Sequence, residues 1–209
     1  MGLRVALTFD AEHPDQPPGE GVAEGILATL AREAVPAAFF LEGRWAATYP
    51  RIAGRIGGAG HLVGNHSHAH ARLTRFTEEG LRADITDAEV AIRAATGLDP
   101  RPWFRCPFGA GADDPGVLRA IEDAGYRHTG WHVDVADWEI GRTALGVETD
   151  VVTGVLEHGG DTVVLLHTWP AATGGALPGI IRGLRERGAA FVRLDAFPDV
   201  PVGAGEPAG

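Results

Sequence analysis

The sequence predicts a single α/β domain, a distorted (β/α)7-type barrel of parallel strands, on the strength of two patterns. Short apolar runs alternate with stretches of helical periodicity along the whole chain, and such alternation builds a parallel sheet. Polar residues also stand just past the ends of these runs: Asp10, His66, Arg105, Asp134 with Asp137, and His167. In a β/α barrel the carboxyl ends of all strands meet at one mouth, where catalytic groups are found.

Residues 3–9 form the first run, apolar and closed by Asp10, as in a buried parallel strand. A Pro- and Gly-rich loop follows over 14–21, then residues 22–34 carry Val22, Ile26, Leu27, Leu30 and Ala34 at helical spacing. Residues 37–41 are the second strand, and Ile52 and Ile56 mark a short helix stopped by Gly57-Gly58. Residues 61–63 are the third strand and lead into the His-rich stretch 64–70.

Thr77 opens a helix reaching about Thr96, with Leu81, Ile85, Ala88 and Ile92 inward and Gly97 as its stop. Residues 102–104 are the fourth strand, and Asp114-Pro115 starts a helix that ends at Gly125. Residues 126–131 are read as the fifth strand, 149–157 as helix, 162–166 as the sixth strand, 180–187 as helix and 189–194 as the seventh strand. Residues 1–197 are therefore expected to form one domain, and 198–209, rich in Pro, Gly and Ala, a flexible tail.

Composition narrows the function classes. The formal charge of −10 argues against nucleic acid as the main partner, which needs a basic surface. No apolar stretch is long enough for a membrane-spanning helix, so no membrane insertion is expected. The first apolar run is broken by Asp10, unlike a signal peptide, and the single Cys106 rules out an internal disulfide. Both features lead to the expectation of a cytoplasmic protein. Composition leaves the oligomeric state open.

His66, His68 and His70 put three imidazoles into five residues of a chain that has nine histidines. On one helical turn His66 and His70 would share a face, and in an extended segment all three would. Either way two imidazoles can converge on one ion, although a solvated polar loop has the same composition. Asp10, with Glu12 close behind it, offers a carboxylate that can serve as general base or metal ligand, or merely cap a turn. Two imidazoles and one carboxylate make the ligand set of a catalytic divalent site with open positions.

Arg105 is always charged and calls for a carboxylate partner, Asp10 or Asp134. Cys106 is followed by Pro107 and lacks an activating helix N-terminus, so it is a poor nucleophile. His167 closes a buried strand; an Asp partner would raise its pKa and make it a proton donor. Trp138 and Trp169 would wall a small substrate group. Gly57-Gly58-Ala59-Gly60 is no phosphate loop, because no Lys-Ser/Thr follows it.

Taken in order, the segments Thr8-Phe9-Asp10, His66-Ser67-His68-Ala69-His70, Arg105-Cys106-Pro107-Phe108-Gly109, Asp134-Val135-Ala136-Asp137-Trp138 and Leu165-Leu166-His167 resemble the five motifs of the polysaccharide deacetylase (NodB-homology) family, carbohydrate esterase family 4. The resemblance implies a NodB-like barrel that removes an acyl group from an amino sugar or glycan with metal-activated water. It implies that His66 and His70 bind the metal and that Asp10, held by Arg105, is the base. It gives the backbone N–H of Phe108 to the oxyanion and makes His167, tuned by Asp137, the acid. Trp138 and Leu165 would line the acetyl pocket.

One position departs from the family pattern. Where a second, metal-binding Asp is usual, Ala11 stands, and Glu12 follows in the place of a usual Gly. Glu12 is therefore the expected third ligand. The metal would be zinc first, with cobalt, nickel or manganese also suited to two His and one acid. Loss of the ligand would instead match the family's metal-independent hydrolases of cyclic amides or ureides. A non-catalytic carbohydrate-binding barrel is the third reading, and retention of Asp10 and His167 argues against it.

Overall fold

A computed structural model describes residues 2–14 and 21–201. Strand β1 (Arg4–Ala11) leads to helix α1 (Val22–Arg32), β2 (Ala37–Leu41), the short helices α2 (Gly43–Thr48) and α3 (Pro50–Gly58), and β3 (Leu62–Asn65). Then come α4 (Glu78–Thr96), β4 (Trp103–Phe104), α5 (Pro115–Asp123), β5 (Arg127–His128), β6 (Val133–Asp134), α6 (Ala144–His158), β7 (Asp161–His167), α7 (Ala171–Arg185) and β8 (Ala190–Phe191). All pairings are parallel, in the order β5-β4-β3-β2-β1-β7-β6, with β8 against the start of β1. The sheet curls so that the ends of its strands face one mouth, as the barrel expectation requires.

Alternation along β1 explains why the barrel has two apolar layers. Val5, Leu7, Phe9 and Ala11 face outward and pack with Ile26, Leu30, Leu166 and Leu177 under the helices. Ala6 faces inward with Phe40, Trp103, Val163 and Phe197. Further along the same face, Thr8 and Asp10 are polar, buried and belong to the mouth end. Phe9 stacks on Phe39 of β2 with ring centroids 5.1 Å apart. Burying each such ring contributes about 1.5–3 kcal/mol.

The expected fifth strand over 126–131 is divided. Arg127–His128 pairs with β4, Val133–Asp134 pairs with β7, and Gly130 between them donates its N–H to the Pro201 carbonyl at 2.6 Å. The chain turns inside an apolar run because each half serves a different edge of the sheet. Val200 packs on the inner layer and Pro201 receives that hydrogen bond, while residues 202–209 of the expected tail lie outside the described residues. So does most of the Pro- and Gly-rich loop after β1.

Helix ends follow the expected chemistry where a cap is visible. Thr77 accepts from the Gly80 N–H, Gly97 ends α4 at φ 72°, and Asp114 accepts from the N–H groups of Gly116 and Val117. Helices α6 and α7 begin earlier than their apolar periodicity indicates. Gly146, Gly174, Gly175 and Pro178 disguise their opening turns, yet Gly175 and Gly179 are what let the two helices pack closely. A Cβ on Gly175 would come within 3.0 Å of the Ala144 Cβ. Helix α2 is too short to show a period, and Gly43 at its start admits the Ala88 backbone, with a Cβ there only 2.8 Å from the Ala88 Cα. Among the described residues no helix is long and apolar enough to cross a membrane.

Candidate active site

The His-rich loop is neither helical nor extended. Ser67 at φ 63° and His70 at φ 47° are left-handed, so the chain reverses twice within the loop. Side chains from both flanks hold this shape. Asn65 accepts from the Ser67 N–H at 2.8 Å and donates to the Ile85 carbonyl at 3.1 Å, and Ser67 accepts from the His70 N–H at 3.0 Å. Asp84 of α4 accepts from the N–H groups of His68 and Ala69 at 2.9 and 3.0 Å. His66 and His70 are thereby turned to the mouth, and His68 packs back against α2 at Gly43.

Glu12 receives both imidazoles. Its Oε2 lies 3.2 Å from His66 Nε2 and 2.5 Å from His70 Nε2, and one ligand atom from each residue falls within 4.8 Å of the others. His66 Nδ1 lies 2.9 Å from the Arg105 carbonyl, an acceptor for an Nδ1 proton, and that contact sets the ring so that Nε2 is the nitrogen turned to Glu12. Ligands about 2.0–2.2 Å from a divalent ion lie about 3 Å from one another, so this donor set fits one ion. Ala11, by contrast, is fully buried in the layer under the helices, on the face of β1 opposite Asp10. Glu12, one residue further on, is the acid that the mouth receives.

The charges respond to this crowding. Burial works to raise the Glu12 pKa, but hydrogen bonds from His13, His66 and His70 hold it well below the carboxylate range. Burial lowers the His70 pKa. For His66 burial is outweighed by the charges of Asp10 and Glu12, and its pKa is raised.

Asp10 sits beside this cluster, its Oδ2 3.5 Å from His66 Nε2. Its Oδ1 accepts from Arg105 Nη1 at 2.7 Å, which settles the choice of partner for Arg105 in favour of Asp10 over Asp134. Arg105 is wholly buried: Nη1 also donates to Thr8 Oγ1, Nε to the Thr129 carbonyl and Nη2 to the Gly130 carbonyl, at 3.0, 3.2 and 3.2 Å. Its guanidinium carbon lies 4.0 Å from the centre of the Phe40 ring. Asp134 is exposed and accepts from the Ala136 N–H at 2.9 Å.

Across the mouth, Asp137 holds His167. Its Oδ1 lies 2.6 Å from His167 Nδ1, and its Oδ2 accepts from the His167 N–H at 2.9 Å and from the Thr173 hydroxyl. Burial pulls the imidazole pKa down, yet the charge and hydrogen bond of Asp137 push it up to about 10. The raised value means that this pair stabilises the fold fully below the unfolded imidazole pKa of about 6.5. That stability is lost as pH rises through about 10. His167 Nε2 is left facing the pocket, 3.8 Å from Glu12 Oε1.

Asp10, Glu12, His66, His70 and His167 line a cavity of about 390 Å³ together with Phe108, Trp131, Trp138, Leu165 and Trp169, while Arg105 and Asp137 stand behind its wall. Phe108 has φ 57°, and its ring meets the His70 ring at 4.5 Å between centroids. Trp138 is 41% exposed at the rim, while Leu165 is buried in the wall. Cys106 is fully buried and burial lifts its thiol to about 12, consistent with an inert side chain.

Several residues of the site escape a sequence reading. Asp84 had one signal, an acid inside the apolar stripe Leu81, Ile85, Ala88 of α4. His13, whose Nε2 lies 3.0 Å from Glu12 Oε1, had only its place beside Glu12. Trp131, Arg72 and Thr173 carried none.

An imidazole and carboxylate cluster of this kind, set at the open end of a parallel barrel, is suited to hydrolysis, with groups placed to hold an ion and to move protons. Residues 3–129 match the family model for polysaccharide deacetylase, and the chain belongs to that family. It is 34% identical over 202 residues to a peptidoglycan-N-acetylglucosamine deacetylase of Bacillus cereus, covering 92% of this chain and 67% of the relative. Among solved structures, a family 4 carbohydrate esterase from Streptomyces lividans in complex with acetate is similar with a TM-score of 0.77 at 27% identity, over 90% of this chain and 91% of that one. A family 4 pseudoenzyme from Bacillus anthracis is similar with a TM-score of 0.83 at 28% identity, over 95% of this chain and 66% of that one.

Proposed function

We propose that the protein is a metal-dependent deacetylase that hydrolyses the N-acetyl group of an amino sugar within a glycan. The observation that carries this reading is the convergence of Glu12, His66 and His70 on one point beside Asp10. Those three residues would hold the ion, zinc before cobalt, nickel or manganese. When bound, it would polarise the substrate carbonyl and make water more acidic. Ala11 faces away from the mouth and Glu12 faces into it, which favours this reading over a metal-free hydrolase of a cyclic amide.

The chain's own groups then share the proton traffic. Asp10, fixed by Arg105, takes a proton from the attacking water, whose oxygen bonds to the acetyl carbon. The backbone N–H of Phe108, a residue that lines the cavity, would support the oxyanion. His167 Nε2–H gives its proton to the departing nitrogen as the C–N bond breaks, yielding acetate and a free amine. Leu165 and Trp138 wall the acetyl group, in a cavity large enough for one sugar ring.

The direct test is acetate release from chitooligosaccharides and from peptidoglycan fragments, before and after metal is stripped with chelator. Activity should vanish on stripping and return with zinc; undiminished turnover by the metal-free protein would defeat the proposal. Two variants sharpen it. Glu12→Ala should weaken zinc binding by at least about tenfold, read by competition with a chromogenic chelator. Asp137→Asn removes the anion that keeps His167 protonated up to about 10, so the alkaline limb of kcat should move to lower pH. An unmoved limb would take the acid's role from His167.

A further inference from the structure

The acid at the mouth stands one residue beyond the position where the family motif carries it, so something must aim its longer side chain. We propose that His13 is a positioning residue that aims Glu12 at the metal, an inference that rests on the metal-dependent reading above. The two oxygens of Glu12 are divided between two tasks. Oε2 faces His66 Nε2 and His70 Nε2, at 3.2 and 2.5 Å. Oε1 is turned away, with His13 Nε2 at 3.0 Å and Trp169 Nε1 donating from 3.4 Å.

His13 is itself held on three sides. Its backbone sits at φ 61°, a left-handed conformation uncommon outside glycine, and its N–H donates to Oε2 of the buried Glu42 at 2.9 Å. Its ring lies edge-on between His70 and Trp169, with centroids 5.0 and 5.7 Å away. An imidazole fixed in this way restricts the rotation of Glu12, whose freedom would otherwise be lost on binding the ion. Outer partners of this type set ligand orientation at metal sites. His13 is not a ligand here: among the described residues the atoms that cluster within 4.8 Å are those of Glu12, His66 and His70.

The inference is tested on the full chain by zinc affinity, measured by chelator competition for the wild type, His13→Ala and His13→Gln, with circular dichroism as a check of folding. The His13 side chain is 31% exposed, so its loss leaves a gap that water can fill and no core void. His13→Ala should weaken zinc binding by about 10–100-fold. His13→Gln, whose amide N–H can reach Glu12 Oε1, should recover most of that loss. Unchanged affinity in His13→Ala would overturn the positioning role alone. Equal weakening in both variants would overturn it too, by making His13 a ligand in its own right. Failure of the wild type to bind any divalent ion would overturn both this inference and the metal-dependent reading.

Discussion

Asp10→Asn should lower kcat for acetate release by about 10²–10⁴-fold, the span that a positioned general base contributes. The substitution keeps the shape of the side chain and one acceptor oxygen for Arg105 Nη1, which lies 2.7 Å from Oδ1 in the wild type. It removes the ability to take a proton together with the negative charge that faces the buried Arg105, so circular dichroism and urea denaturation accompany the kinetics. Because Asp10 is outside the Glu12, His66 and His70 cluster, zinc affinity should change far less than turnover. Steady-state kinetics and zinc titration on the same preparation separate the two. A variant that keeps full turnover would strip Asp10 of its role. Turnover that depends on Asp10 would also dispose of the non-catalytic reading, which the likeness to the Bacillus anthracis pseudoenzyme keeps in view.

Arg105→Met should destabilise the fold by about 3–5 kcal/mol, the cost of leaving one charge of a buried pair without its partner. The orphaned groups would be Asp10 and the carbonyls of Thr129 and Gly130, which join β1 to the chain between β5 and β6, while the Thr8 hydroxyl would keep only its bond to the Val164 carbonyl. Methionine fills much of the space beside Phe40, so the loss is electrostatic and not a cavity effect. Arg105→Lys should fall between the two, since its ammonium cannot span the same acceptors. Urea denaturation checks both. A Met variant as stable as the wild type would show that the guanidinium does not organise this end of the barrel.

The sequence displayed the barrel because its strands are buried on both faces, so apolar runs ending in polar residues were visible without any alignment. It displayed the two imidazoles that face the mouth by number and place, but not their geometry. Residues 66–70 fit a helical or an extended pattern equally well, and the left-handed backbone at Ser67 and His70 comes from side-chain bonds to Asn65 and Asp84. The division of the expected fifth strand was hidden because pairing to different sheet edges leaves no mark on hydropathy. His13 was hidden for a similar reason. Its role depends on which carboxylate oxygen it meets, which is a matter of three-dimensional direction and not of residue type.

The central claim is that Glu12 replaces the acid missing at Ala11 and completes a metal site with His66 and His70. Crystals grown with zinc and measured on both sides of the zinc absorption edge test it most directly. The account predicts one anomalous peak bounded by Glu12 Oε2, His66 Nε2 and His70 Nε2, and its loss in Glu12→Ala. A peak held without Glu12, or none at the mouth of a protein that still deacetylates, would contradict it.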